Sequence, residues 1–546
     1  MTDAVDAIVI GSGINGLVAA AELAGAGWSV ALVERNDELG GFVAAGELTA
    51  PGYVHDTYSS WHPEFVVGGA YAALGEDLHR HGLEYRNAEG LVTGTVRRDG
   101  SAIVAHRDPQ RTADGFADPR DRDAYLGALA AMERDLPEIG ALLGSELRSP
   151  RTLGPVAKLL RAGGVGGLEA RLRDVATSGR AWCRRTFHGD EVDALWVPWL
   201  LHSGLSPDHA SGAIMLPVFA ATLHGAGLPV VAGGQGRFLA AFRALLDERG
   251  VAVHTGEPVE RILVEGGRAT GVATAGRTLR ARRAVLASVA PGALYGDLLP
   301  AGSVGPEVLA GAASYRPGRA AMHLHVALSA PPAWRDARLG EIPLLHFSEG
   351  SPSTGIACAE AEAGLLPREA TIVLGQQHVL DPTRVPAGAA SLWVQLQEVP
   401  ARPVGDAAGE LEADGRWTPE LADAYADRIL DRLAGHAPGL RELVVGRRVI
   451  TPDDLVAHNP NAIGGDPYGG APDLDQRLLW RPFPGAASHA TPVDGLWHIG
   501  AATHPGPGLS GASGHLVAAA LTAPTARARA GSAVRDLVSG RGGRTA

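Results

Sequence analysis

"DAIVIGSGINGLVAAAELAGAGWSVALVERN", residues 6–36, decides how the rest of the chain is read. "AIVI" (7–10) is a continuous apolar run, the form of a parallel strand buried on both faces. "NGLVAAAELAGAG" is small and apolar at helical spacing and ends on Gly25 and Gly27. "SVALVE" (29–34) reads as a second buried strand. Gly11 permits the tight turn after the first strand, Gly13 lets the backbone approach a pyrophosphate, and Gly16 lets helix and strand pack closely. Ile14 and Asn15 open the helix, whose unpaired N–H groups and positive dipole end favour a diphosphate. Glu34 ends the second strand, where a carboxylate can accept bonds from ribose hydroxyls. A glycine-rich turn alone fits any α/β protein; strand, turn, helix, strand and acid together predict a dinucleotide cradle.

A chain of 546 residues exceeds one ordinary core, so two consecutive or intertwined domains are expected. The hydrophobic content of 45 % is that of a soluble globular protein. A net charge of −12 argues against nucleic acid as a partner, because phosphate neutralisation needs a basic surface. Cys183 and Cys358 lie far apart, match no metal-ligand spacing and imply no disulfide framework; no metal site is expected. The apolar start imitates a signal peptide, but Asp3 and Asp6 stand where a cationic region should be and Glu22 interrupts the later run. No stretch reaches the roughly 20 uncharged apolar residues of a spanning helix. A cytoplasmic protein is expected.

After Glu34 comes "RNDELGGFVAAGELTAPGYVHDTYSSWHPEF". With its Gly40–Gly41 pair and its "GYxxD" segment, the chain here resembles the FAD-binding amine oxidase and phytoene dehydrogenase superfamily. The resemblance implies FAD, with the glycine pair beside the flavin diphosphate, flanked by Arg35 and Phe42, and the next segment passing the isoalloxazine. An NAD enzyme needs no such doublet. Two more blocks carry the likeness. Residues 230–291 read as a helix from Arg237 to Glu248, a strand at 251–254, two alternating strands around "RILVEGGRATGVAT" and a further strand "RAVLAS". In the family the position matching Val259 binds adenine through its backbone. The third block, "GLWHIGAATHPGPGLSGASGHLVAAALTA" (495–523), resembles the C-terminal flavin block of phytoene dehydrogenases through Gly500, Thr503, His504, Pro505, Gly506, Gly508 and Gly511. N–H groups at the start of its helix, around Gly508, Leu509 and Ser510, would face the pyrimidine end of the flavin. Gly506, Gly508 and Gly511 also spell a second G-x-G-x-x-G. No strand with a ribose-binding acid follows it, so a separate NAD(P)H site is rejected.

The fold class implied is α/β: a Rossmann-like FAD-binding domain of the GR2 type with an inserted sheet-plus-helices substrate domain. Residues 1–75, 229–300 and 485–530 are assigned to the flavin domain, 76–228 and 301–484 to the substrate or cap domain, and 531–546 to a disordered, solvated tail. "RDRDAYLGALAAMERDLPEIGALLG" and most of 155–205 read as helices, "RAAMHLHVALSAPP" and "AASLWVQLQEVP" as strands, and 451–484 as turn-rich and irregular. The chemistry implied is hydride removal from a small-molecule or largely apolar substrate to flavin N5, with oxygen or a quinone as acceptor. His62 and Tyr58, in the segment expected beside the flavin, and His504 are the catalytic candidates. "HLH" (323–325) and "QQH" (376–378) read as polar groups of the core or surface. The amine oxidase branch is the chief rival; most of its members hold a lysine through water to the flavin, and the only lysine here, Lys158, lies in a helical, peripheral stretch. A flavin-dependent isomerase and a non-catalytic flavin-bound interaction protein stay open. Residues 195–201 and 211–227 could form an apolar entrance for peripheral membrane contact or be buried cap helices; a soluble enzyme is favoured. Oligomeric state is not legible.

Overall fold

Two seven-stranded sheets organise the computed structural model, which describes residues 4–486 and 488–523. The first sheet runs in the order Val259–Glu265, Arg268–Thr274, Thr278–Ala287, Ala4–Ile10, Val30–Val33, Ala252–His254, and Leu496–His498 also pairs with Thr278–Ala287. Its centre is parallel: Ala7 to Ile10 pair with Val30 to Val33 on one side and with Ala284 to Ala287 on the other. The apolar run at 7–10 is buried on both faces, as a central parallel strand requires. Helix Ile14–Gly25 makes the crossover to Val30–Val33. The two alternating strands expected around 259–274 form an antiparallel hairpin that adds to the edge of Thr278–Ala287. Leu496–His498, over two hundred residues on, joins the same sheet in parallel. All three glycine-rich blocks thus feed one sheet.

The second sheet has the order Val444–Ile450, Ala320–Leu328, Ala390–Val399, Ile372–Gly375, Leu344–Phe347, Leu91–Val96, Ala102–His106. Only the pairing of Leu344–Phe347 with Leu91–Val96 is parallel. One face is apolar and carries Leu324, Val326, Leu345, Leu374, Val394 and Leu396 against helix Pro419–His436. Since side chains alternate along a strand, the polar residues between them point to the other face.

Helices cover the remainder. Pro119–Leu143 starts on an Asp118 cap, and Leu153–Ala176 is broken at Gly164, which has φ +60°. Residues 195–201 are all buried, in the helical turns Glu191–Trp196 and Val197–Ser203, so this stretch is core rather than an exposed apolar entrance. Gly212–Ala226 buries Leu216, Ala220 and Leu223. The segment 451–484, expected to be irregular, contains a helix, Pro452–His458, closed by reciprocal hydrogen bonds between Thr451 and Asp454. In "QQH" Gln376 follows Ile372–Gly375, and Gln377 and His378 form a short helical turn. Among the described residues no helix is long and apolar enough to cross a membrane. The tail 531–546, and 524–530 before it, lie outside the described residues.

Candidate active site

The glycine turns of distant blocks meet at the end of the first sheet. Gly13 pairs with Gly40 in a parallel bridge, and a Cβ on Gly41 would stand 3.2 Å from the Gly13 Cα. Gly41 has φ +58° and Gly11 φ +88°, which side chains disfavour. Ser288 sits under both ends: a Cβ on Gly11 would lie 3.1 Å from its carbonyl oxygen, and one on Gly500 would lie 3.1 Å from its hydroxyl. The C-terminal helix, Ala512–Thr522, packs along Ile14–Gly25 through glycine, since a Cβ on Gly514 would fall on the Asn15 carbonyl. The first helical hydrogen bond of Ile14–Gly25 runs from Leu17 N–H to the Gly13 carbonyl at 3.0 Å. The N–H groups of Ile14, Asn15 and Gly16 therefore have no helical partner. A Cβ built on Gly13 meets nothing within 4 Å. Open space in front of free N–H groups, walled by a second glycine turn, fits a diphosphate.

Glu34 is buried, and its carboxylate turns back on the turn that Gly11 and Gly13 form. Ser12 donates to Oε2 from both N–H (2.8 Å) and hydroxyl (2.7 Å), and Asn36 N–H donates to Oε1 at 2.9 Å. Gly40 N–H reaches the same Ser12 hydroxyl at 3.1 Å, so acid, first turn and second turn form one network. A carboxylate has more lone pairs than these bonds use. Glu257 N–H donates to the Glu34 carbonyl at 2.9 Å, which brings the start of Val259–Glu265 alongside. Arg35 is exposed. Phe42 lies 5.1 Å from the Tyr58 ring. Leu509 packs on the apolar core around helix Ile14–Gly25, and Ser510 hydroxyl accepts from Ala512 N–H at 3.3 Å.

The three catalytic candidates occupy different environments. His62 is fully buried, with Nδ1 on the Tyr85 hydroxyl (2.8 Å) and Nε2 on the Gln235 amide (2.7 Å). His504 bonds the Leu143 carbonyl through Nε2 at 3.0 Å, and its own carbonyl meets His489 Nε2 at 2.9 Å. Both ring nitrogens of His62 are thus engaged by the framework, whereas His504 is held through Nε2. The reason is local: nothing in a sequence window says which side of a turn a histidine faces. Tyr58 is only partly buried and stacks on His458 at 4.7 Å. His458 Nε2 in turn bonds the Gly41 carbonyl at 2.8 Å, so helix Pro452–His458 is docked on the glycine pair.

The inner face of the second sheet carries groups that the sequence left as core. Pairing aligns His323 with Gln395, Gln395 with Val373, Val373 with His346, and His346 with Thr95. One row thus crosses five strands and is polar except at Val373. Buried polar groups are costly unless they have work or partners. His323 Nδ1, His346 Nδ1 and Thr95 hydroxyl have no partner among the described residues. Tyr58 comes edge-on to His323 at 6.2 Å, and His202 Nε2 lies 3.1 Å from His346 Nε2. Burial holds His323 and His202 down to about 3 and His346 well below its usual value, so all three are uncharged at neutral pH.

Glu64, two residues after His62, was not anticipated. Burial pushes its carboxyl up to about 7. The residue nonetheless keeps accessible surface. A Cβ on Gly508, in the C-terminal block, would overlap its carboxylate.

The same burial makes a stability prediction. His55, His62, His498 and His504 are held near 4, and His202 and His323 near 3, chiefly by desolvation. Unfolded, each would take up a proton at about 6.5. Between those values the unfolded chain binds more protons, so stability is fully present above pH 6.5 and falls as pH drops towards 4. Thermal melts should show Tm descending steeply through that window; a Tm constant from pH 7 to 4.5 would contradict this.

With the geometry in place, comparison with known proteins assigns the chain. The family model described as flavin containing amine oxidoreductase matches residues 14–361. Pyridine nucleotide-disulfide oxidoreductase domain-containing protein 2 of Rattus norvegicus is 27 % identical over 553 residues, covering 93 % of this chain and 92 % of the relative. Phytoene dehydrogenase of Streptomyces griseus is 27 % identical, covering 87 % of each chain. Among solved structures, an oxidoreductase from Methanosarcina mazei superposes with a TM-score of 0.61 at 16 % identity, over 94 % of this chain and 99 % of the other. Putrescine oxidase superposes with 0.59 at 19 % identity, over 95 % and 99 %. These two likenesses establish the shared fold. The chain belongs to the flavin containing amine oxidoreductase family and is an FAD-dependent oxidoreductase.

Proposed function

We propose that the protein is an FAD-dependent dehydrogenase that acts on a largely apolar organic substrate, uncharged where it reacts. The observation that carries this reading is the inner-face row His323–Gln395–His346–Thr95, polar, neutral and without a carboxylate. A cationic amine would need an anionic or wholly aromatic seat there, whereas neutral imidazoles and an amide suit an uncharged molecule. Lys158 also speaks against the amine oxidase branch: its side chain is 69 % exposed and 3.2 Å from Glu138.

FAD when bound supplies the hydride acceptor, at its N5. Around it the turns at 11–16 and 40–42 would hold the diphosphate, Glu34 and the Val259 backbone the adenosine, and 500–510 the pyrimidine end. Tyr58, Phe42 and His458 form an aromatic wall, and the histidine row orients substrate. His62 and His504 hold the framework. Glu64 is the group suited to take the proton, since a carboxyl near 7 is ionised in part at neutral pH and lies beside the C-terminal block. Oxygen or a quinone would re-oxidise the enzyme.

The test is anaerobic mixing of yellow enzyme with candidate substrates. Bleaching with a product two hydrogens lighter supports dehydrogenation; a product of equal mass would make the protein an isomerase. Turnover should rise with pH through about 7, as the Glu64 carboxylate forms. Glu64→Gln should cost about 10²–10⁴-fold in kcat and remove that rise. An unchanged pH profile in the variant would dismiss Glu64 as the base.

A further inference from the structure

We propose that Arg477 and Arg481 bind a carboxylate of the substrate at the end of the inner-face row. The proposal rests on reading that row as the substrate floor, and it names the class of molecule: an apolar monocarboxylate that reacts at a distance from its charged end. Arg481 is buried. Its Nη2 donates to the carbonyls of Tyr468 (3.1 Å), Gly469 (2.8 Å) and Ala501 (2.5 Å), while its Nε is buried without a partner. The Arg477 side chain has no hydrogen bond or ion pair among the described residues, and its Nη1 is likewise buried and unpartnered. Burial together with the nearby Arg481 charge pulls Arg477 down to about 10, and no carboxylate offsets that pull.

The acids of the neighbourhood are engaged elsewhere. Asp473 faces His209 (3.5 Å) and Arg316 (3.4 Å), Asp475 pairs with Arg316 at 2.8 Å, and Asp466 accepts N–H groups from Gly318, Tyr468 and Gly470. Between the two arginines Leu478 is held at φ +52°, a left-handed conformation that leucine adopts only at a cost. This strained turn separates the arginines and is consistent with a site built for a ligand.

The place of the pair in the fold links it to the row. Gln397, next after Gln395 on the same face, donates to the Tyr468 hydroxyl at 2.6 Å, and the Tyr468 carbonyl takes the Arg481 bond. On the other side a Cβ on Gly506 would lie 3.7 Å from the Arg481 guanidinium. Arg481 therefore stands between the row and the 500–508 turn, with Arg477 close enough to feel its charge. An uncompensated buried guanidinium is strongly unfavourable, and a planar two-oxygen anion is the partner that its fork geometry accepts. Asp466 is near enough to offset part of the Arg481 charge, which leaves about one positive charge and suits a monoanion rather than phosphate.

Holoenzyme titrated with decanoate, decanamide and inorganic phosphate, read by flavin absorbance and by Tm, tests this. Decanoate should bind saturably, decanamide at least about tenfold more weakly, and phosphate not at all in the same range. Arg477→Gln, which breaks no side-chain hydrogen bond or ion pair among the described residues, should raise the decanoate Kd about tenfold or more and leave decanamide unchanged; Arg477→Lys should restore part of the affinity. Equal binding of acid and amide, phosphate competing as well as decanoate, or an Arg477→Gln variant with unaltered decanoate Kd would each overturn the proposal. Thermal stabilisation by decanoate, lost in Arg477→Gln, would uphold the carboxylate site even if no substrate ever bleached the flavin; bleaching without any preference for decanoate would uphold the dehydrogenase reading alone.

Discussion

Gly13→Val is expected to give a folded, colourless protein. The backbone at Gly13 has φ −56° and ψ 167°, a region open to valine, and a Cβ there touches nothing within 4 Å. The substitution therefore costs the fold little. Its branched methyls would project into the space in front of the free N–H groups of Ile14–Gly25, where our reading puts the diphosphate. Affinity for FAD should fall by about a hundredfold or more, close to 3 kcal/mol. Gly16→Val makes the contrast: its Cβ would collide with the Gly11 carbonyl, so that variant should lose structure as well as colour. Absorbance per chain and far-ultraviolet melting, taken together, separate the two. A Gly13→Val protein as yellow as the parent would remove the turn from the cofactor site.

The second large effect lies at a buried ion pair. Arg384 is buried, with Nη1 2.7 Å from Asp56 Oδ2, Nη2 donating to the Val231 carbonyl at 2.5 Å and Nε 3.4 Å from Asp381. Asp56 also accepts from Gln235 N–H at 2.8 Å and from the Ser60 hydroxyl. Three chain segments are held at this one guanidinium: 56–60, which leads to Glu64; 231–235, which opens helix Gln235–Glu248; and 381–384. Arg384→Ala would leave the Asp56 carboxylate buried without its counter-charge, a loss of about 3–5 kcal/mol. The expected result is a sharply lower Tm and weakened retention of flavin. Asp56→Asn combined with Arg384→Met should recover part of the stability, because removing both charges avoids the unpaired one; a single variant with unchanged Tm would contradict the pair's role.

How much of this was legible beforehand depends on whether the signal is local. The 6–36 unit, the 259–274 hairpin and the 495–523 block each hold their signal within one window, as glycines at fixed offsets or period-two alternation, and each forms the element it predicts. The strands around "HLH" and "WVQLQ" were also readable, but which face would be apolar core depends on helix Pro419–His436, far along the chain. His323 and Gln395 could have been singled out by one feature: polar residues at every second position of otherwise apolar strands. The Thr451–Asp454 cap before "LVAH" is a helix start that the turn-rich surroundings obscured. His62 and Glu64 differ only in which way a short helical turn points them, and Arg384 and Asp56 meet across 328 residues of chain. No window contains that information.

The most direct test is a crystal structure of the yellow holoenzyme. Our account predicts one FAD per chain, its adenosine between Glu34 and Val259, its diphosphate against Gly13 and Gly41, and its ring system between the 500–510 turn and the His323 side of the second sheet. Density for the flavin anywhere else, or a different molecule filling the space before Gly13, would contradict it.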